Sequence, residues 1–519
     1  MPKRRAGGGC LALASLVLTA VLVSAVPAAV PPPNDGASWT TLHGDLTRAG
    51  FYPQWPAGDL KPVWRKELWK ELTGPRCEVI VGGGLAYMGT YAGKMYAWDA
   101  ATGEERWTFR AGGPIGHSPM LDGGVLYFGA MDRRLYALDA ATGKPRWTFE
   151  AGEGVWTSPV AWAGLVMFGA RDGVFYALKA ADGTPAWTFK TDAPILTTAS
   201  VSGDGSRVVF GSEDMHIYCL TLPDGRLAWK SRKLAGLSLR DHFPVLAGGL
   251  ALATANPVHE FHWTLTTHQE MLLKRTGFTG ADNRSIPAGP GDVEKEQDFI
   301  LDHLKAHPSE QTFYAFRLAD GREPWTAPVL YTAGLHNPPT PPCVNPATGD
   351  AYVFLRTAYG VWDGGGEVRP YTSPGRLDLK TGRVTLVNHG YPSKDPGRPP
   401  GAKDMPWMTF NYIGDETQTL SCSPEFLFAN HQGYIGSLNF RTGLTRNMYG
   451  KRDTYGGFYG AGNFGWESQG GREKARAAGQ PYGLVNEWHG PAKAVVSVAG
   501  PYVYFPVGSQ VICLKGEAK

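Results

Sequence analysis

Hydrophobic positions in this chain come in short runs cut by tight glycine turns, and the runs recur. Residues 96–107 read YAWDAATGEERW, residues 136–147 read YALDAATGKPRW and residues 176–187 read YALKAADGTPAW. The tryptophans fall at 107, 147 and 187, a period of 40 residues. A fixed period in this range marks a solenoid or a propeller. Short apolar runs joined by tight turns predict that each unit is a small antiparallel sheet. One such sheet cannot bury both faces alone, whereas sheets stacked around an axis can.

The repeat continues in degenerate form. YCLTLPDGRLAW ends at Trp229 and YAFRLADGREPW ends at Trp325, while RLDLKTGRVTLV (376–387) and SLNFRTGLTRNM (437–448) keep the Thr-Gly turn and lose the tryptophan. The chain closes with QVICLKGEAK, a unit that lacks its outer strand, and KPVWRKEL near the start carries Trp64 with no repeat before it. The expectation is an all-β, eight-bladed antiparallel β-propeller whose last blade is closed by pairing of N- and C-terminal strands. Trp64, Trp107, Trp147, Trp187, Trp229 and Trp325 are expected as flat wedges between blades, not as ligands.

ALDAATGKPRW (137–147) resembles the tryptophan-docking repeat of the pyrroloquinoline-quinone-like propellers, and TLHGDLTRAGFY (41–52) resembles their leading segment. The resemblance covers most of residues 40–515 and is closest to propellers of the outer-membrane assembly lipoprotein type. It implies the propeller fold and two functional branches: periplasmic quinoprotein dehydrogenases and non-catalytic scaffolds.

Composition narrows the class. Gly 68, Pro 40 and 12% aromatic residues suit many turns and wide sheet faces, and 43% hydrophobic residues supply a core that a disordered chain lacks. Lys3, Arg4 and Arg5 followed by the apolar run Cys10 to Val26 read as an export signal with a small-residue cleavage site at Val26-Pro27-Ala28. The expected organisation is a signal peptide at 1–28, a Pro-rich linker at 29–39 and the propeller at 40–519, in a chain that is periplasmic or secreted and has no membrane span after cleavage. Retention of the segment as an anchor is the alternative; the run is slightly shorter than a spanning helix needs. Cys10 precedes the apolar run, the wrong place for a lipoprotein cysteine. The net charge of +3 falls to zero once the three basic residues of the signal are gone, which argues against nucleic acid as a partner. Cys77, Cys219, Cys343, Cys422 and Cys513 remain, widely spaced and with no CxxC, so a zinc site is not expected and at most two disulfides are possible. Most of these cysteines are expected as small buried hydrophobes on strands.

Departures from the repeat point to a site. In a four-stranded blade with strands A to D from the axis outwards, the A–B and C–D turns share one face. Here they are short throughout. The B–C loops and the connections between blades share the other face and hold all the long insertions, at 256–312, 357–375, 388–418 and 447–491. Long loops on a rigid scaffold are commonly functional. The first contains His259, His262 and the helical pattern DVEKEQDFILDHLKAH, with Phe299, Ile300 and Leu304 on one side. The start of each innermost strand lies on this same face. Register alignment places Arg76, His117, Trp156, Arg240, Asp241, His242, His336, Asn337, Trp488 and His489 there, and the B–C turns add Tyr91, Arg171, Glu213 and His431.

Three functions compete. A cell-envelope binding or assembly scaffold, with an envelope protein or a polar small molecule or carbohydrate as partner, needs only the propeller, the export signal and the decorated face. A polysaccharide lyase or other glycan-active enzyme would use Arg against a uronate carboxylate and His or Tyr to move the proton. A quinone-dependent dehydrogenase is disfavoured: the resemblance implies that pyrroloquinoline quinone would sit between a Trp and a disulfide of adjacent cysteines, above a calcium ion, and this chain has no adjacent cysteines and no CxxCH. No cofactor and no metal site are expected.

Overall fold

The computed structural model describes residues 34–68, 70–74, 77–256, 292–329, 341–357, 371–387, 419–431, 434–440, 445–449, 451–452, 458–459, 495–507 and 510–517. Its strands form eight antiparallel blades. Blade 1 is Ile80–Gly82, Leu85–Gly89, Lys94–Asp99 and Glu105–Arg110, paired in sequence order from the axis outwards. Blades 2, 3 and 4 repeat this order, beginning at Met120–Asp122, Val160–Trp162 and Ser200–Val201. Blades 5, 6 and 7 begin at Val245–Ala247, Cys343–Asn345 and Thr419–Cys422. Blade 8 is Ser497–Ala499, Tyr502–Val507 and Gln510–Glu517, with Ala57–Glu67 as its outer strand. That outer strand pairs Trp64 with Cys513 and Arg65 with Ile512, so the two ends of the chain close the ring as expected. That pairing covers the Gln510–Glu517 edge, whose amides would otherwise lack strand partners.

The tryptophan repeat has a concrete contact behind it. Each outer-strand indole lies on the turn glycine of the following blade and donates its N–H to a carbonyl of the same turn. Trp64 donates to Ala100 O at 3.0 Å, Trp107 to Ala140 O at 2.9 Å, Trp147 to Ala180 O at 3.0 Å and Trp229 to Leu318 O at 2.9 Å. Trp187 and Trp325 make the same bond to Pro223 O and Leu379 O. A Cβ on Gly183 would lie 2.5 Å from the Trp147 ring, and this glycine also has φ +74°. Thus the Thr-Gly and Asp-Gly turns satisfy a backbone requirement and a packing requirement at one position.

Blade 5 departs from expectation. It keeps three strands, with Phe313–Arg317 outermost, although Trp325 still docks on the next blade. Pro328, three residues after Trp325, stands where blade 2 has Glu150, which pairs with Arg134. A proline there has no amide for the ladder. The insertion helix spans Asp292–Ala306 and rests Ile300 and Leu304 in the core shared by blades 5 to 7. Its Gln297 side chain accepts from Val384 N at 2.9 Å and donates to Val384 O at 2.7 Å, matching one residue of blade 6's outer strand as a neighbouring strand would. In blade 6, strands Asp350–Thr357 and Tyr371–Leu377 extend into the range expected as insertion, so residues 357 and 371–375 belong to the blade. Among the described residues no helix is long and apolar enough to cross a membrane.

Residues 36–52 occupy the channel itself. Val81, Leu121, Val201, Leu246, Val344 and Cys422, each on an inner strand, donate their amides to the carbonyls of Trp39, Thr40, Leu46, Thr47, Ala49 and Gly50 at 2.7–2.9 Å. Gly500 in the first turn of blade 8 donates to Gly36 O. Every blade but the third is clipped to the segment; there the Ala161 amide goes to the Met120 sulfur instead. The clipped amides lie toward the A–B turns, so the segment closes that end of the channel and leaves the starts of the inner strands for the other end. At its centre Arg48 is fully buried and held by Thr41 Oγ1, Leu42 O and Ala199 O.

Candidate functional site

The inner strand of each blade begins on the face that bears the insertions. In blades 3 and 4 the residue there is a threonine, Thr157 or Thr197, whose hydroxyl turns back to its own blade, at Gly169 O or Gly211 O. Blade 2 has His117 at this position, and an imidazole is long enough to leave the blade. Its Nε2 lies 3.3 Å from Asp241 Oδ1, on the connection from blade 4 to blade 5. The same carboxylate oxygen accepts from Trp156 Nε1 at 3.0 Å. Asp241 sits at φ +63°, a left-handed conformation that Asp tolerates better than most residues.

Trp156 is the floor of this cluster. It can lie low because Gly116 beneath it has no side chain; a Cβ there would come within 2.5 Å of the indole. The Arg240 guanidinium carbon stands 5.5 Å from the Trp156 ring centroid, and the Tyr91 ring stacks near it at 5.9 Å and 26°. Glu213, on the B–C turn of blade 4, accepts from Ser238 Oγ at 2.7 Å and Leu239 N at 3.0 Å, and so braces the loop that carries Arg240 and Asp241. Residues from blades 1 to 4 and the approach to blade 5 therefore meet at one end of the channel.

The electrostatics are those of a partly dehydrated polar pocket. A carboxylate only accepts, so His117 Nε2 is the donor to Asp241. His117 is 6% exposed and Nδ1 has no hydrogen-bond partner among the described residues. Burial raises the Glu213 carboxyl above its usual range and the Tyr91 phenol well above its own. Burial also pushes the Cys77 thiol up to about 12, so Cys77 is an inert wall residue and no nucleophile. Arg240, with its side chain 53% exposed, is the cation that faces solvent.

Not every expected residue joins. His242 is 2% exposed and is turned into the wall of blade 5, with Thr254 Oγ1 2.9 Å from Nδ1 and Asn256 Oδ1 3.2 Å from Nε2. It is a satisfied core histidine, because the chain reverses at Asp241 and sends the next side chain inward. Arg171 is exposed on its turn. His431 ends the strand Phe426–His431, paired with Tyr434. Arg76, His336, Asn337, Trp488 and His489 lie outside the described residues. The buried polar group that sequence patterns did not indicate is Glu78, which accepts from Trp39 Nε1 at 2.9 Å and His43 N at 2.7 Å beneath the mouth. Its only sequence signal was an acidic residue where the repeat has Ser118 and Ser158.

Among the described residues no three His, Cys, Asp or Glu side chains converge as a metal would require, and Asp241 is already engaged by His117 and Trp156.

The fold and the register of its blades define a tryptophan-docked repeat propeller with a polar mouth. The chain belongs to the family described as outer membrane protein assembly factor BamB, whose pattern matches residues 57–149 and 116–327, together more than half of the sequence. No curated protein is similar enough in sequence to match. Solved structures with a similar fold include a computationally designed protein, Ika8, with TM-score 0.51 and 10% identity over 89% of this chain and 100% of that one. BamB from Moraxella catarrhalis gives TM-score 0.42 and 15% identity over 72% of this chain and 96% of that one. Quinohemoprotein alcohol dehydrogenase from Comamonas testosteroni gives 0.48 and 13%, over 79% and 72%.

Proposed function

We propose that this chain is an exported, envelope-associated scaffold propeller whose insertion-bearing mouth binds a polar, hydroxyl-rich ligand such as a carbohydrate. One observation carries the reading. The Asp241 carboxylate receives both His117 and Trp156, and Arg240 stacks on the same indole, so an aromatic floor, a solvent-facing cation and a carboxylate share one recess. Aromatic floors stack the apolar face of a sugar ring, while the polar groups fix its hydroxyls. Membership in an outer-membrane assembly family supports the envelope setting and an envelope protein as partner.

The test is native mass spectrometry and glycan-array binding with the purified protein. Binding that disappears when His117, Arg240 and His489 are together changed to Ala, with the melting temperature nearly intact, supports the site. Equal binding by the variant, or no binding by the wild type, removes it and leaves the scaffold alone.

A glycan-active enzyme is the second reading, favoured by the solvent-facing Arg240 over Trp156, placed to meet a uronate carboxylate, with His117 on the adjacent Asp241. Release of unsaturated or reducing ends from uronate polymers, lost in His117→Ala, would establish it. Reconstitution with pyrroloquinoline quinone and calcium is expected to give no dye-linked oxidation of alcohols or aldoses, because the chain lacks adjacent cysteines.

A further inference from the structure

We propose that Cys343 and Cys422 form a disulfide across the seam between blades 6 and 7 when the chain meets an oxidised dithiol. The argument rests on strand register. Side chains alternate along a strand, so neighbouring inner-strand positions point to opposite neighbouring blades. Blade 2 shows which is which. The Met120 sulfur accepts from the Ala161 amide of blade 3, so its position points to the following blade. Leu121 lies against Gly82 of blade 1, so its position points to the preceding blade.

The segment in the channel carries this register to the other blades, because it takes the amide of the backward-pointing residue each time. Leu121 donates to Thr40 O, Val344 to Ala49 O and Cys422 to Gly50 O. Cys422 is therefore a backward-pointing residue and faces blade 6. Cys343, one before Val344 and paired with Tyr352 as Met120 is with Tyr127, points forward to blade 7. The two inner strands approach with Cα atoms within 8 Å, and both cysteines are completely buried in one core cluster. Burial holds the Cys422 thiol far above its usual pKa, and a hydrogen bond with Cys343 adds to the shift. Cys77, Cys219 and Cys513 lie in blades 1, 4 and 8, away from this seam.

The chemistry balances as thiol–disulfide exchange. One cysteine thiolate attacks the oxidant's S–S bond, forming a mixed disulfide and releasing one oxidant thiolate. The second cysteine then attacks the first cysteine's sulfur and releases the other. Two electrons and two protons pass from the pair to the oxidant, which leaves as a dithiol. Closed in the seam, both sulfurs are buried away from solvent, and burial holds the Cys422 thiol in the unreactive protonated form. The bond therefore forms during folding, before blades 6 and 7 close, and afterwards it is shielded from reductant. It fastens the ring at the point where Ala49, Gly50 and Tyr52 are clipped.

The experiment uses the full chain refolded or secreted in the presence of an oxidised dithiol. Thiols are blocked with one alkylating label under denaturing, non-reducing conditions, and a second label is applied after reduction. The expected result is the first label on Cys77, Cys219 and Cys513, and on Cys10 where the N-terminal segment is present, the second on Cys343 and Cys422, and a linked peptide lighter by two hydrogens. First label on Cys343 and Cys422, or linkage of either to another cysteine, overturns the proposal. Because the readout is on the wild type, it does not depend on a folded variant. Cys343→Ser with Cys422→Ser then serves as a second arm: wild type reduced while unfolded and refolded without oxidant melts lower than oxidised wild type, and the double variant shows no such difference.

Discussion

The Trp147 indole, on the outer strand of blade 2, lies against Gly183 in the turn of blade 3, where a Cβ would stand 2.5 Å from the ring. The same pair recurs as Trp64 with Gly103, Trp107 with Gly143, Trp187 with Gly225, Trp229 with Gly321 and Trp325 with Gly382. The repeat that is visible as a sequence period is thus a contact between one blade and the next.

That contact predicts coupling. Trp147 is only half-buried, so Trp147→Ala is expected to cost about 2 kcal/mol, below the ~3–5 kcal/mol of a core aromatic. Gly183→Ala adds left-handed strain to a clash with the ring and should cost about 2–4 kcal/mol. In the double variant the clash is gone, so the costs should fall well short of adding. Urea denaturation of the four proteins measures this; strict additivity would mean that the ring and the glycine do not interact.

Arg48 is a buried cation satisfied almost wholly by carbonyls. Burial lowers its pKa to about 10 against the usual 12.5, with Asp45 and Glu78 partly countering. Because the folded value lies below the unfolded one, the unfolded state binds more protons between these pH values. Keeping the charge buried is therefore a standing cost at neutral pH, offset by the hydrogen bonds. Arg48→Met should leave Leu42 O and Ala199 O unsatisfied and destabilise by about 2–4 kcal/mol. Arg48→Lys should recover little, since an ammonium cannot reproduce the fork. Chemical denaturation at pH 7 checks both; a wild-type midpoint for either would show that the channel segment does not depend on this residue.

Deleting residues 57–67 removes the outer strand of blade 8 and Trp64 together. A sharp fall in melting temperature is expected, because the Gln510–Glu517 edge opens and blade 1 loses the indole over Gly103. Circular dichroism melts of the deletion and of Trp64→Ala separate the two contributions. An unchanged deletion melt would mean that the ring closes without this strand.

The turns also set an acid limit. Hydrogen bonds from Arg106 and then from Thr102 N hold the Asp99 carboxyl down at about 2, against the usual 3.8. Asp139, bonded to Arg146 and Thr142, is shifted the same way. A depressed carboxylate contributes stability above its unfolded pKa and loses it as pH falls through the folded value. Stability should therefore drop from about pH 4 toward pH 2, and Asp99→Asn should flatten that slope while lowering stability at pH 7. Urea midpoints across this range decide it; an equal slope in the variant would contradict the assignment.

Much of this was legible in the chain. The period of 40 residues, the glycine turns and the stray Trp64 determined the propeller, its count of blades and the pairing of its ends, because each is a local pattern repeated at fixed spacing. The same register placed His117, Trp156 and Arg240–Asp241 at one mouth, and the helical pattern foretold Asp292–Ala306. What tertiary structure alone decided depends on contacts between distant residues. Which way His242 turns was set by the reversal at Asp241. The sealing of the channel by residues 36–52 was set by one amide from each of several blades, from Val81 to Cys422. No local periodicity encodes such a contact, since its partners come together only when the ring closes.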